Sequence, residues 1–288
     1  MQPAGLRSPA SGAPPDRGQA RLVFARDGRG RSYLREQFAS YPFHLCRPHR
    51  FEGDPPGMAA VYLQSSSGGI YQHDRLCLAI AAAERAQAHV TTQAATIVHG
   101  MSSGHAEQRV SIRAGAGCLL EYLPDPMILF PGSRLSCRLA VRADPGATVI
   151  LGEAFFCHDP EGRHRAFDWL LNEISVEAGD SSLLARERYQ VSGEAFAART
   201  PGLSGGMPAE GCVHVIAPEC GAPLLDALRE AIMGIPGVQA GASELPNACG
   251  VWARVLARDG QALRRALASA WAAARRACTG QAPAPRRK

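Results

Sequence analysis

Histidine and cysteine residues lie close together at three places in the sequence, and both can bind metal ions or take part in nucleophilic catalysis. The first grouping is Phe43-His-Leu-Cys-Arg-Pro-His49, which contains His44, Cys46 and His49. If this segment is a strand, positions 44 and 46 share a face, so one metal ion could contact both side chains. The alternative is an ordinary strand with one partly exposed histidine and one core cysteine.

The second grouping pairs Cys157 with His164, and the third pairs Cys212 with His214. The Asp-Pro-Glu-Gly segment between Cys157 and His164 predicts a turn, so these two side chains could approach each other across a hairpin. They are then candidates for a nucleophile and its base, which makes a hydrolase one hypothesis for the function. A polar hairpin without catalysis is the alternative. Cys212-Val-His214 gives the weakest indication of the three.

Three carboxylates stand in or beside apolar segments. Glu121 lies in Cys-Leu-Leu-Glu-Tyr-Leu, Glu153 lies in Val-Ile-Leu-Gly-Glu-Ala-Phe-Phe, and Asp74 ends a glycine-rich turn. A buried carboxylate is unfavourable unless it is paired, hydrogen-bonded or hydrated. The functional interpretation is an acidic lining of a water-filled passage that favours a divalent cation, and the alternative is an arginine partner or a capped turn. An acid/base couple of Glu121 with Asp125 is a weaker interpretation, because prolines flank Asp125 and bend the chain.

The sequence lacks the motifs of several other functional classes. There is no G-x-S-x-G nucleophile motif and no phosphate-binding G-x-x-x-x-G-K-[ST] motif, and Lys288 is the sole lysine. The net charge of +5 is mild and the basic residues are scattered, so nucleic acid is not an expected partner. No apolar run is long enough for a membrane span. The nine cysteines include no C-x-x-C pair, and the N-terminus lacks an apolar export segment, so we expect reduced thiols and a cytoplasmic location.

The elements that would position these residues are mostly strands. Short strands separated by turn sequences are expected between residues 21 and 190, which predicts an all-β sandwich, barrel or stacked structure. The last third predicts helices at 222–233 and 261–276 around a strand at 251–257. In the second helix Leu263, Leu267 and Trp271 form an apolar face. We expect a disordered lead over residues 1–19, one domain over residues 20–278 and a mobile tail over residues 279–288. The strands expected before the helices are Arg21–Arg26, Ser32–Phe38, Ala59–Gln64, Leu76–Ala81, His89–Val98, Gln108–Ile112, Cys118–Leu123, Leu135–Val141, Thr148–Phe156, Trp169–Glu177 and Leu183–Tyr189.

One predicted strand, within Ala88–His99, carries an unusual number of hydroxyl and amide side chains. Its Thr-Thr-Gln-Ala-Ala-Thr segment stands between Ser67-Gly-Gly-Ile-Tyr-Gln-His-Asp74 and Leu120-Glu-Tyr-Leu-Pro-Asp-Pro126. In this order the three segments resemble the urease accessory protein D family, over about residues 19–277. The chain departs from the usual family pattern at four positions. These are Gln72, His73, Ile97 and His99.

The resemblance implies a non-catalytic assembly factor that binds the urease apoprotein and urease accessory protein F, and through it the GTPase accessory protein G. The complex would deliver nickel to urease, with nickel in transit and no tightly bound cofactor. The implied fold is mainly β, a right-handed helical arrangement of stacked strands with two helices near the C-terminus and an internal tunnel. A β-structured interaction module without a metal role remains an alternative, beside the Cys/His hydrolase. The candidate nickel-path acids are Asp74, Glu121 and Glu153, and the candidate tunnel-lining residues are Thr92, Gln93 and Thr96.

Overall fold

The computed structural model describes residues 18–200, 202–284 and 286, which form seventeen strands and three α-helices. None of the helices in these ranges is both long and apolar enough to cross a membrane. The strands are β1 (Gly18–Arg26), β2 (Ser32–Ala39), β3 (Phe43–Leu45), β4 (Ala59–Ser65), β5 (Arg75–Ala82), β6 (Gln87–Thr92), β7 (Thr96–Val98), β8 (Ala106–Ala114), β9 (Leu119–Tyr122), β10 (Met127–Leu129), β11 (Arg134–Ala143), β12 (Thr148–Cys157), β13 (Trp169–Ala178), β14 (Leu183–Ser192), β15 (Ala209–Ile216), β16 (Val238–Glu244) and β17 (Gly250–Ala257). The helices are α1 (Gly193–Ala197), α2 (Gly221–Ile232) and α3 (Gly260–Thr279), and a 3-10 turn spans Pro246–Ala248.

The strands form two facing sheets of stacked coils. The first sheet has the order β14-β13-β11-β8-β5-β1-β2, and the main path of the second is β16-β17-β15-β12-β9-β6-β4-β3. From β4 to β13 the chain alternates between the sheets, and successive strands within each sheet pair in parallel. The predicted mainly β, stacked architecture with two helices near the C-terminus is therefore confirmed.

The polar segment at Ala88–His99 is not the single strand that we expected. It is divided into β6 and β7 by a bend at residues 93–95, and β7 turns away to pair in parallel with β10. The end of β12 pairs with the other side of β10. Both short strands therefore belong to the second sheet, and along the chain each precedes a strand of the first sheet. Sequence patterns also missed the strands β10, β15 and β16 and the short helix α1, whereas β3 lies in the segment that we considered as a strand from residue 43.

The core lies between the sheets, where alternate residues of each strand point inward. Leu22, Ile80 and Val141 of the first sheet meet Val61, Leu120 and Leu151 of the second in one buried cluster. The predicted inward face of β11 is confirmed, with Leu135, Leu139 and Val141 buried.

Helices α2 and α3 cover the outer face of the second sheet. Leu224 and Leu228 of α2 and Ala270 of α3 pack against Val213 of β15 and Ala253 of β17. Every residue of β15 is consequently buried, because this strand has the core on one face and helices on the other. Helix α3 begins at the side-chain cap of Asp259 and ends at Gly280, whose φ of 75° suits glycine.

The predicted apolar face of α3 is only partly correct. Leu263 is buried, but Leu267 and Trp271 are half-buried. The largest completely buried side chain in the described residues is Arg275, near the C-terminal end of α3. Its neighbours explain why a charge can lie there.

Arg275 joins α3 to two acidic residues. Its Nε donates to Glu121 Oε1 at 2.6 Å, its Nη1 donates to Asp54 Oδ1 at 2.8 Å, and its Nη2 also donates to Glu121. Trp271 Nε1 donates to the same Glu121 oxygen at 3.0 Å, and His89 Nδ1 donates to the other at 2.7 Å. A buried ion pair is tolerable only when its remaining hydrogen-bonding capacity is filled, and here it is.

The described residues at the two ends of the chain make defined contacts. Strand β1 already includes residues 18 and 19, and residues 1–17 of the expected lead lie outside the described residues. The described part of the expected mobile tail is attached: Ala284 N–H donates to Asp54 Oδ1 at 3.0 Å, and Arg286 Nη2 donates to Asp54 Oδ2 at 2.6 Å. The tail therefore shares the acidic partner of Arg275.

Replacing Arg275 with methionine should destabilise the fold by about 3–5 kcal/mol, because Glu121 and Asp54 would remain buried without their shared cation. Urea-induced unfolding at neutral pH measures the difference. Arg276→Met is the matched control, since Arg276 is exposed one residue away and should change stability by less than about 0.5 kcal/mol. Equal stability of the two variants would show that the buried ion pair does not hold α3.

Candidate functional site

The three acids predicted to share a passage lie in three different environments. Asp74 caps a turn, where its Oδ2 accepts the Tyr71 backbone N–H at 2.7 Å. Glu121 points from β9 to the outer face of the second sheet, under α3. Glu153 points from β12 into the space between the sheets. The structure therefore does not bring these carboxylates together.

Glu121 is saturated with donors. Burial alone would raise the pKa of Glu121, but the hydrogen bonds from His89 and Arg275 outweigh it and lower the pKa to about 2. Because a carboxylate accepts only, His89 donates from Nδ1, and burial lowers the His89 pKa so that the ring stays neutral. A carboxylate with four donors from three side chains is a structural anchor, and it lines neither of the two cavities beside Glu153.

Glu153 is less well compensated. Asn172 Nδ2 donates to its Oε1 at 2.6 Å, and the Cys212 thiol lies 3.5 Å from the same oxygen. Neither neighbour carries a positive charge. Burial raises the pKa of Glu153, and burial also raises the pKa of the Cys212 thiol well above its usual range. Glu153 thus differs from Glu121 in the sign of its pKa shift.

Glu153 lines two cavities, and a third cavity is lined by His214. One of about 70 Å³ is lined by Thr92, Thr96 and Asp125, and a second of about 10 Å³ is lined by Asn172 and Cys212. Glu153 itself lines both, together with Met127 and Ala154. The third cavity, of about 250 Å³, is lined by Glu187, Trp252 and His214. His214 lies two residues after Cys212 in β15.

Two of the three predicted lining residues are at the first cavity. Thr92 and Thr96 line it, and Thr92 Oγ1 accepts the Asp125 backbone N–H at 2.8 Å. Gln93 lies on the exposed bend and is hydrogen-bonded to Gln64. Neither of the cavities beside Glu153 is lined by Gln93.

Glu153, Cys212 and His214 form a cluster that sequence reasoning missed. Glu153 and Cys212 are direct partners in the antiparallel pairing of β12 with β15, and His214 follows on the same inward face. One potential ligand atom from each residue lies within 4.8 Å of the others. Across residues 18–200, 202–284 and 286, no other group of three His, Cys, Asp or Glu side chains meets this criterion.

The other His/Cys groupings do not assemble. His44 Nδ1 is hydrogen-bonded to Gln64 at 2.8 Å, near the protein surface. Burial raises the pKa of the Cys157 thiol to about 12, so it is not the thiolate that nucleophilic catalysis needs, and His164 is exposed. The fold completes the grouping of Cys212 with His214, which gives the weakest indication in the sequence.

The four departures from the family pattern contribute local contacts between two loops. Gln72 Oε1 accepts the backbone N–H groups of Ser102 and Ser103 at 2.9 and 3.1 Å. The His99 ring stacks on Tyr71 with centroids 4.3 Å apart. His73 has a left-handed φ of 65°, and Ile97 accepts the Ile70 N–H. These residues position the turn of Asp74 rather than the cavities.

The same substitution at the two buried glutamates should have opposite effects. Glu121→Gln should lower the unfolding free energy by about 3–5 kcal/mol at pH 8, because Arg275 would keep Asp54 but lose the carboxylate that accepts two of its hydrogen bonds. Glu153→Gln should leave it equal or higher at pH 8, because the raised pKa means that the buried charge opposes folding.

Urea unfolding at pH 8 and pH 4 tests both signs. The Glu121 contribution is complete above its ordinary pKa of 4.5 and is lost as the pH falls towards 2, whereas the Glu153 effect disappears as the pH falls below 4.5. Destabilisation of similar size by both substitutions at pH 8 would contradict the assignment of different roles.

Comparison with known proteins connects these features to a family. Residues 16–288 match the family described as "UreD urease accessory protein". The chain is 42% identical over 272 residues to urease accessory protein UreD 1 of Pseudomonas syringae pv. syringae, covering 93% of this chain and 95% of the relative. It is 39% identical to UreD 1 of Methylorubrum extorquens, covering 99% and 96%. It is 31% identical to UreD of Cenarchaeum symbiosum, covering 89% and 91%.

Proposed function

The chain belongs to the UreD urease accessory protein family, and from this we propose that it assists nickel insertion into the urease apoprotein by conducting the metal between its two sheets. Proteins of this family serve urease maturation without being enzymes themselves. Function therefore has to come from what the protein binds and holds. The hydrolase hypothesis fails on the same ground, and the protonated Cys157 thiol agrees with that outcome.

The observation that carries the proposal is the position of Glu153. Its carboxyl lines two adjoining cavities between the sheets, and within the part of the chain that the structure describes no arginine or lysine forms an ion pair with it. A buried acid without a cationic partner is unfavourable for folding and favourable for a passing divalent cation. Thr92 and Thr96 supply hydroxyl oxygens at the wider cavity, where a partly hydrated ion would enter.

The partners that we propose are the urease apoprotein, urease accessory protein F and, through it, the GTPase accessory protein G, all acting in the cytoplasm. Protein partners need an accessible surface, and Tyr33, Phe38 and Tyr41 are exposed on and beside the edge strand β2, at 42%, 49% and 70% of their maximal area. Exposed aromatic side chains that form a patch are typical of protein contact sites. This edge is our proposed docking region.

Glu153→Gln should lower urease activation several-fold while leaving co-purification with apo-urease unchanged, because the amide keeps the shape of the side chain and removes its charge. Activation is measured as urease activity and nickel content per apo-urease, after maturation with the full set of accessory proteins. Glu173→Gln is the matched control, because it also replaces a glutamate with glutamine. Glu173 follows Asn172 in β13 but lies on the outer face of the sheet, where it pairs with Arg186.

Normal activation by the Glu153→Gln protein would contradict conduction at this point. It would favour the alternative of a β-structured interaction module without a metal role. Loss of co-purification in the same variant would instead place Glu153 in the fold or in a partner contact, and would also contradict the proposal.

A further inference from the structure

The cluster of Glu153, Cys212 and His214 has the dimensions of a metal site. Cys212 Sγ lies 3.5 Å from Glu153 Oε1 and 3.6 Å from His214 Nδ1. Metal–sulfur, metal–nitrogen and metal–oxygen bonds of the usual lengths in a tetrahedral site place neighbouring ligand atoms about 3.5 Å apart. The two measured separations therefore match two edges of such a tetrahedron, and the third separation is no more than 4.8 Å.

The histidine is oriented for coordination through Nδ1. Its Nε2 lies 3.1 Å from Glu187 Oε2, and since a carboxylate only accepts, Nε2 carries the proton. The Nδ1 lone pair then faces Cys212. A carboxylate behind the histidine is the outer-shell arrangement that fixes metal-binding imidazoles in proteins. The Trp252 ring stacks on the imidazole at 5.9 Å, which restricts its rotation.

Residues around the cluster contact Glu153 and set the local charge. Asn172 Nδ2 donates to Glu153 Oε1 at 2.6 Å. Arg254 donates to Glu210 at 2.5 Å and to Glu187, so its one positive charge faces two carboxylates. The local balance of charge is consequently negative, and it attracts a cation rather than repelling it.

A fourth ligand has space beside the cluster. The cavity lined by Glu153 and Cys212 has a volume of about 10 Å³. That is close to the minimum of about 10–15 Å³ in which one water molecule fits. Three protein ligands with one water position describe an open site, from which an ion can move on, rather than a closed structural site.

We propose that Glu153, Cys212 and His214 form a holding site for one borderline divalent transition metal ion between the two sheets. Sulfur and imidazole ligands select such ions over magnesium and calcium, which take oxygen ligands almost exclusively. Binding of the ion displaces the proton of the Cys212 thiol, which passes to solvent. The resulting thiolate and the Glu153 carboxylate then balance the two positive charges of the ion. The site stands on this geometry alone, whereas its identification as a stop for nickel rests on the proposed function.

Binding of nickel(II) to the purified, reduced full-length chain tests the site. Thiolate coordination should add a sulfur-to-nickel charge-transfer band in the near ultraviolet, and equilibrium dialysis gives the affinity. Cys212→Ser should abolish the band. Glu187→Gln, which keeps all three ligands, should weaken binding by about 10–100-fold through the loss of the carboxylate behind His214.

The control variant removes a second place where thiols could bind nickel. The sulfur atoms of Cys220 and Cys278 lie 3.4 Å apart at helices α2 and α3, and this pair could also bind the ion. Cys220→Ser should leave the band and the affinity of the Glu153 cluster unchanged. A band that survives Cys212→Ser and disappears with Cys220→Ser would overturn the proposed site. Circular dichroism melting of each variant excludes loss of binding through unfolding, and a Cys212→Ser chain that is folded and still binds nickel normally would also overturn it.

Urease activation separates failure of the site from failure of the proposed function. If Cys212→Ser loses the nickel band but matures urease normally, the holding site stands and delivery through it is wrong. If the band and the affinity are unchanged in Cys212→Ser, the site is wrong whatever happens to urease.

Discussion

A carboxylate removed from water needs compensation, and this chain meets the requirement in two different ways. Glu121 and Glu153 lie in β9 and β12, which are neighbours in the second sheet; Glu121 is fully buried and Glu153 is half-buried. Glu121 has a guanidinium, an indole and an imidazole around it, and its pKa falls to about 2. Glu153 has an amide and a thiol, and burial raises its pKa. The first contributes to holding the fold together, and the second is left able to bind something else.

Glu121 and Glu153 have different surroundings because successive side chains of a strand point to opposite faces of its sheet. In β9 the inward residues are Leu120 and Tyr122, so Glu121 faces the helices, whereas in β12 Val149 and Leu151 face inward and Glu153 follows them. Helix α3 lies on the outer face of the sheet, where its Arg275 reaches Glu121. Because the helices cover this face, β15 is buried on both faces. That burial in turn holds the inward row of β15 against Glu153.

Strand patterns were predictable because they are local. Alternation in β11 and the turn sequences between strands are properties of neighbouring residues, and the structure reproduces them. The polar segment of Ala88–His99 was harder, since β-branched content does not reveal the bend that sends β7 to pair with β10. The buried Arg275 was unpredictable for a different reason. Its partners Glu121 and Asp54 are 154 and 221 residues away, and arginines in a last helical turn are usually exposed.

The candidate site shows the same limit. Glu153 was recognisable as an acid in an apolar strand, but Cys212 and His214 lie in β15, whose uniformly buried residues lack the alternation that marks a half-exposed strand. Only the antiparallel register of β12 with β15 places Cys212 opposite Glu153. Asp74 and Glu121 had equally suggestive sequence surroundings and lie elsewhere. Spacing along the chain could indicate the ligand types but not which of them meet.

Nickel K-edge X-ray absorption on the nickel-loaded chain is the most direct measurement of whether the metal occupies the space between the sheets. We expect one sulfur neighbour, at least one imidazole and otherwise oxygen ligands, with the sulfur contribution lost in Cys212→Ser and retained in Cys220→Ser. A nickel environment of oxygen and nitrogen alone, or one with two sulfur neighbours that depends on Cys220, would contradict a metal route through Glu153, Cys212 and His214.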